Sequence, residues 1–261
     1  MKINDITNYY INKVNGLENI DTSCSSVFIS NHTYLMDIFF INQILEKEIA
    51  TAISSRLLFK DEPERKKLIN KFINPVPIEV HAGRNYINMC LNSLSNLLLN
   101  NISFNIFPEG AYLEQSNNIY KAHTGCIRAL YEASKEVKVN LIPIAIDVQS
   151  KINNLNSYNI SPSKVNISIL KPIEYHEYFN LFLNTHDNKF LHLPLDQAMK
   201  NIAEEINKNY ILHYIELRTR DDIIWPTGER YNIESVLTNN YVEEYQQNLI
   251  KIENNLVRKL K

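Results

Sequence analysis

From residue 26 to residue 148, short apolar runs alternate with segments of helical period, and this alternation restricts the fold more than any other feature of the chain. Ser26 to Ser30 reads as a buried strand, after which Leu35, Ile38, Ile41 and Leu45 follow the three- and four-residue steps of a helix. Ile49 to Ile53 reads as a second strand. A basic stretch from Lys60 to Phe72 follows, with Leu68 and Phe72 at helical spacing, and Pro75 and Pro77 are expected to end it. A third strand is expected at Ile78 to Val80. Beyond it come a helix through Ile87, Cys90, Leu91, Leu94 and Leu98, a β-rich run from Ile102 to Phe107, a helix from Cys126 toward Val137, and a strand from Val139 to Val148. Strands separated by helices need crossover connections. The pattern therefore predicts an α/β fold with a mostly parallel central sheet, helices on both faces, and a ligand site at the carboxyl ends of the strands.

The flanks read differently. Ile3, Ile6, Tyr10 and Val14 recur at helical spacing and Gly16 follows, so residues 1–20 are expected to form an N-terminal helical cap. Val165 to Ile173 alternates apolar and polar residues and supplies one more strand, which gives an α/β core over residues 21–175. Residues 176–261 read as a helical C-terminal segment packed on that core. Within it Val242, Tyr245, Leu249, Ile252 and Leu256 form an apolar seam along one long helix. Such a seam packs on its own domain, on a second copy, or on a membrane surface.

At 261 residues, with 44% apolar and 21% charged side chains, the chain can bury one main core. A formal charge of −2 supplies no global field for nucleic acid, so acidic ligands must be met by local clusters. Cys24, Cys90 and Cys126 lie far apart without metal-type spacing, which fits reduced thiols and no metal site. The first fifteen residues lack the hydrophobic core of a secretory signal. The richest apolar stretch, Tyr34 to Leu45, is interrupted by Asp37, Asn42 and Gln43. The expectation is a cytoplasmic protein whose membrane contact, if any, is peripheral on the inner face.

Two segments can do chemistry, and each directly follows an expected strand: Asn31-His32-Thr33-Tyr34-Leu35-Met36-Asp37 and Phe107-Pro108-Glu109-Gly110. Five residues on a straight helix subtend about 140°, so His32 and Asp37 can meet only if the chain turns between them. A strand-to-helix junction provides that turn. Asp37 would then hold one imidazole nitrogen while the other faces a hydroxyl, the arrangement needed to take a proton from an alcohol at neutral pH. An oxyanion formed on the acyl carbonyl would need a separate donor, which a helix N-terminus after Thr33 could provide.

In this ordered set the chain resembles the glycerolipid acyltransferase family, which includes lysophosphatidate and glycerol-3-phosphate acyltransferases. Asn31, His32 and Asp37 match its Asn-His-x4-Asp motif literally, and Phe107 to Gly110 match its Phe-Pro-Glu-Gly motif. Pro77 to Arg84 more loosely resembles a motif ending in arginine. Leu141-Ile142-Pro143-Ile144 resembles its apolar strand with an internal proline, and Lys121-x3-Gly125 its Lys–Gly segment; the resemblance spans roughly residues 22 to 175. It implies acyl transfer from acyl-CoA or acyl carrier protein, as co-substrate and without a cofactor, to the hydroxyl of a small lipid such as a lysophospholipid or glycerol phosphate. His32 would be the general base and Asp37 its orienting partner. Glu109 and Gly110 would take part in acceptor binding, Arg84 would meet an acceptor phosphate through its guanidinium fork, and Lys121 would add a second cation.

Two positions depart from that pattern. Many members carry Thr or Ser and then Arg after Phe-Pro-Glu-Gly, whereas this chain has Ala111-Tyr112-Leu113. Acceptors without a phosphate therefore stay open, with Lys121, Arg128 and His81 as substitute cations. His81-Ala82-Gly83-Arg84 also displaces the usual acid and arginine of the second motif. Lys60, Arg65, Lys66, Lys67 and Lys71 could meet coenzyme A phosphates or an acidic carrier protein, or simply form a solvated helix face. Two other classes remain: a non-catalytic lipid- or carrier-binding protein on the same scaffold, and a thioester hydrolase.

Overall fold

The computed structural model describes residues 10–33, 36–45, 49–54, 67, 69–71, 73–78, 84–110, 118–120, 122–148, 164–207, 209–211 and 239–260. Seven strands form the main sheet: β1 (Ile11–Asn15), β2 (Ser25–Ser30), β3 (Ala50–Ser54), β4 (Asn74–Ile78), β5 (Phe104–Ile106), β7 (Val139–Val148) and β8 (Val165–Ile169). Two further short strands, β6 (Asn118–Tyr120) and β9 (Asn209–Ile211), pair in parallel as a separate ribbon. The helices are α1 (Asp37–Ile44), α2 (Arg84–Leu99), α3 (Gly125–Ala133), α4 (His176–Thr185), α5 (Asn188–Glu205) and α6 (Asn239–Leu260).

The main sheet runs β1-β8-β7-β2-β5-β3-β4. All its pairings are parallel except β7 with β8. This is the mostly parallel α/β sheet that the strand–helix alternation requires. Its centre is buried on both faces, since β2 alternates side chains between two separate cores. Val27 and Ile29 join the larger core, which α2, α3, α4, α5 and α6 cover. Phe28 joins the other, under α1, with Ile69 and Ile73 beside it. Each fully buried side chain of this size contributes about 1.5–3 kcal/mol.

Topology then places the chemistry. The chain leaves β2 toward β3 on one side, yet β5 returns to lie between them and β7 takes the opposite flank of β2. The carboxyl ends of β2 and β5 are therefore neighbours, with Ile29 opposite Ile106. The segments that follow these two strands, beginning at Asn31 and Phe107, must meet at the edge of the sheet.

The expected N-terminal helical cap is corrected over residues 11–15, which form β1, parallel to β8. The register slips between Ile11 and Lys13, the mark of a bulge. One extra residue lets side chains three apart share a face, so Ile11 and Val14 both pack on the second core. A three-residue apolar spacing thus imitated a helix. Gly16 ends the strand at φ +78°, and a Cβ there would lie 1.9 Å from Ile169 O, so only glycine lets the chain pass the end of β8.

A second correction concerns Pro75 and Pro77, expected to end a helix ahead of a strand at residues 78–80. They lie inside β4, and Ile78 ends it; residues 79–83 lie outside the described residues. Among the described residues β4 is the last strand of the sheet and pairs with β3 alone. Prolines two apart direct their missing N–H groups to the same side, so both face the open edge, where no ladder bond is lost. The prolines mark an edge strand here. The seam on α6 packs on its own domain: α6 lies against α2 and β4, with Leu249 and Leu256 buried in the larger core and Ile252 packed on it. Lys259 Nζ donates to Asn74 Oδ1 at 2.9 Å from the same helix. Among the described residues no helix is long and apolar enough to cross a membrane.

Candidate active site

His32 lies in the short loop between β2 and α1, and Asp37 is the first residue of α1, where an acid suits the helix dipole. The chain turns between them. His32 Nδ1 lies 3.1 Å from Asp37 Oδ2, and the same oxygen accepts the Thr33 amide at 2.6 Å. Thr33 Oγ1 lies 3.2 Å from each carboxylate oxygen. A carboxylate only accepts, so Nδ1 takes the donor role and the lone pair of the imidazole is on Nε2. The Thr33 amide is committed to Asp37, and Tyr34 and Leu35, in the segment expected to offer an oxyanion donor, lie outside the described residues.

Burial separates the two partners. The Asp37 side chain is 0% exposed, whereas that of His32 keeps 13%. One face of the imidazole stacks on Phe107, with ring centroids 4.2 Å apart and planes inclined by 25°. Held at its Nδ1 edge by Asp37 and on one face by Phe107, the ring has little freedom to rotate. Its pre-orientation lowers the entropy lost in reaching a productive geometry.

Further contacts fix the loop itself. Asn31 uses its amide as an extension of the β-ladder: Nδ2 donates to Ile146 O at 3.0 Å, and Oδ1 accepts from Ile146 N at 2.8 Å. Ser30 Oγ donates to Asn105 Oδ1 at 2.8 Å, tying the ends of β2 and β5 together. Glu109 is buried, and its Oε1 accepts the His32 amide at 3.0 Å. The two sequence motifs are thus joined directly, one by its carboxylate and the other by its backbone. Phe107-Pro108-Glu109-Gly110 forms a turn closed by Gly110 N donating to Phe107 O at 3.1 Å, with proline and glycine at the positions such turns favour. Gly110 is exposed, at φ +73°.

Arg84 opens α2, and its side chain lies outside the described residues, as do Lys121, His81 and the segment 111–117. Of the basic cluster, Lys67 and Lys71 are exposed, and Lys60, Arg65 and Lys66 lie outside the described residues. Arg128 is exposed on α3. Spacing alone did not single out Thr33 or Phe107 as parts of the histidine's setting. Nor did it single out His123, whose amide donates to Pro108 O at 2.7 Å.

A buried acid thus holds one edge of a partly exposed imidazole at the carboxyl ends of the parallel strands β2 and β5, where ligands bind in α/β sheets. Residues 12–147, just over half of the chain, match the Acyltransferase family model. The chain belongs to the acyltransferase family. Among solved structures it is similar to the 1-acyl-sn-glycerophosphate (LPA) acyltransferase PlsC from Thermotoga maritima. That match has 17% identity and a TM-score of 0.51, covering 78% of this chain and 79% of the other. Comparison with curated proteins yields no match.

Proposed function

We propose that this chain transfers an acyl group from a thioester, acyl-CoA or an acyl carrier protein, to the hydroxyl of a small lipid acceptor, with His32 as general base. The observation that carries the reading is the His32–Asp37 pair, in which a fully buried carboxylate holds the Nδ1 edge of an imidazole that is itself partly exposed. Nε2 takes the acceptor's proton as its oxygen attacks the thioester carbonyl. The tetrahedral adduct then collapses, the C–S bond breaks, and the proton on His32 passes to the departing thiolate. Asp37 stabilises the imidazolium that exists between those two steps.

In the same reading Glu109 and Gly110 shape the acceptor side of the cleft, Arg84 binds an acceptor phosphate through its guanidinium, and Lys121 adds a cation there. The likeness to PlsC, a lysophosphatidate acyltransferase, favours a lysophospholipid or glycerol phosphate acceptor. The apolar acyl products of such a reaction favour peripheral contact with a membrane surface.

Replacing His32 with Ala tests the assignment. Acceptor-dependent thiol release from an acyl-CoA should fall by about 10² to 10⁴, the worth of a general base, while circular dichroism and melting stay close to wild type. Full activity in this variant removes His32 from the mechanism. Thiol release by wild type without any acceptor would instead mark a hydrolase.

A further inference from the structure

We infer that Asn105 is a positioning residue for His32, holding the end of β5 against the end of β2 so that Phe107 and Glu109 meet the imidazole loop. The inference rests on the acyl-transfer reading above and adds to it a side chain outside the Asn-His-x4-Asp and Phe-Pro-Glu-Gly motifs.

Backbone pairing stops short of the site on this flank. The β2–β5 ladder runs from Val27–Phe104 to Ile29–Ile106, whereas the β2–β7 ladder continues to Ser30–Ile144. Asn31 carries the β7 flank further through its two bonds to Ile146. On the β5 flank two bonds made by side chains take over: Ser30 Oγ donates to Asn105 Oδ1 at 2.8 Å, and Glu109 Oε1 accepts the His32 amide at 3.0 Å. Asn105 lies two residues before Phe107, whose ring stacks on His32, and four before Glu109. A shift of the β5 end relative to β2 would therefore move both contacts on His32 at once.

Energetics give the amide no other use. Asn105 is fully buried, and in the register it lies beside Phe28, which belongs to the second apolar core. Among the described residues nothing accepts from its Nδ2, although that atom is buried too. A buried donor left unpaired lowers stability, and a central parallel strand normally carries valine or isoleucine at such a position. Replacing both partners of a buried hydrogen bond by apolar groups is close to neutral or stabilising. The Ser30–Asn105 pair thus costs stability where it stands, and it joins the two strand ends that carry His32, Phe107 and Glu109.

The double variant Ser30→Ala, Asn105→Val separates positioning from scaffold. Its melting temperature should equal or exceed that of wild type, while kcat for transfer from acyl-CoA to lysophosphatidate falls about tenfold to a hundredfold, the loss expected when reacting groups are misplaced by roughly an ångström. Both side chains are fully buried, so KM for either substrate should stay within threefold. Asn105→Val alone leaves the Ser30 hydroxyl unpaired and should show the same fall in kcat with a lower melting temperature. Histidine NMR, with the His32 signal assigned from His32→Ala, follows the ring without turnover. The ring current of Phe107 should displace that signal in wild type, and the displacement should shrink in the double variant. A double variant that melts clearly below wild type, a kcat within threefold, a loss confined to KM, or an unmoved His32 signal each overturns the inference. If the signal moves as expected but wild-type protein transfers no acyl group, the acyl-transfer assignment falls and the placement of His32 by Asn105 stands.

Discussion

Replacing Asp37 with Asn isolates the contribution of one negative charge, because the geometry dictates how the amide must sit. Asp37 Oδ2 receives both the Thr33 amide and His32 Nδ1. An Asn side chain must place its oxygen there, since an NH2 group would face the Thr33 N–H donor. The amide nitrogen then falls at Oδ1, where Thr33 Oγ1 can accept from it. The hydrogen bond to His32 therefore survives, and only the charge is lost. At a contact of 3.1 Å beside a fully buried partner, an effective dielectric near 20 makes the attraction between a carboxylate and the transient imidazolium worth about 5 kcal/mol. At ~1.4 kcal/mol per decade, kcat should fall roughly 10³- to 10⁴-fold. KM for the acceptor should stay within about threefold, since Asp37 has no exposed surface with which to touch it. Thiol release from acyl-CoA, followed with a chromogenic disulfide, reads the rate. Background is low because Cys24, Cys90 and Cys126 are all buried, and burial pushes the Cys126 thiol up to about 12. A variant whose kcat stays within threefold of wild type would refute the role given to this carboxylate.

The remaining predictions concern the scaffold. Asn31→Leu strips both hydrogen bonds from the backbone of Ile146 and should cost about 2–4 kcal/mol in denaturant melts, lowering kcat as the His32 loop loosens. Gly16→Ala sets a Cβ 1.9 Å from Ile169 O at φ +78°. It should destabilise by at least about 2 kcal/mol, and an unchanged melting temperature would contradict the close passage of β1 beside β8. Tyr175 donates its hydroxyl to Val139 O, and burial pushes its phenol up to about 12 from an ordinary value near 10. A proton held more tightly when folded gives stability that is complete below about pH 10 and is lost as pH rises toward 12. Tyr175→Phe should therefore be the less stable protein at pH 8, and its deficit relative to wild type should shrink between pH 10 and 12 in urea melts.

Strand and helix periods are local properties, and most of the elements they define in the sequence recur in the structure, from β2 and α1 through α3 and β7. They recur because their side chains reach the same two cores that the periods imply. One departure is β9 (Asn209–Ile211), a strand within the segment 176–261 read as helical, which forms by pairing with the distant β6. The other two share one cause. At Ile11 and Val14 a bulge gave two residues three apart a common face, and at Pro75 and Pro77 an open edge removed the penalty for proline in a strand. Both depend on which strand lies alongside, which local spacing does not encode.

The site divides in the same way. The residue types able to carry the chemistry, and their position after strands, are present in the linear order of Asn31, His32, Asp37 and Phe107 to Gly110. That Glu109 turns inward to hold the His32 amide and that Phe107 stacks on the His32 ring are consequences of β5 returning between β2 and β3, whereas Oδ2 of Asp37 meets Nδ1 through the turn between β2 and α1. Sequence alone determined which groups were available and which elements would carry them. Tertiary structure decided which of those groups meet, because strand order in a sheet is set by the burial of whole helices on its two faces, and no single residue spacing records it.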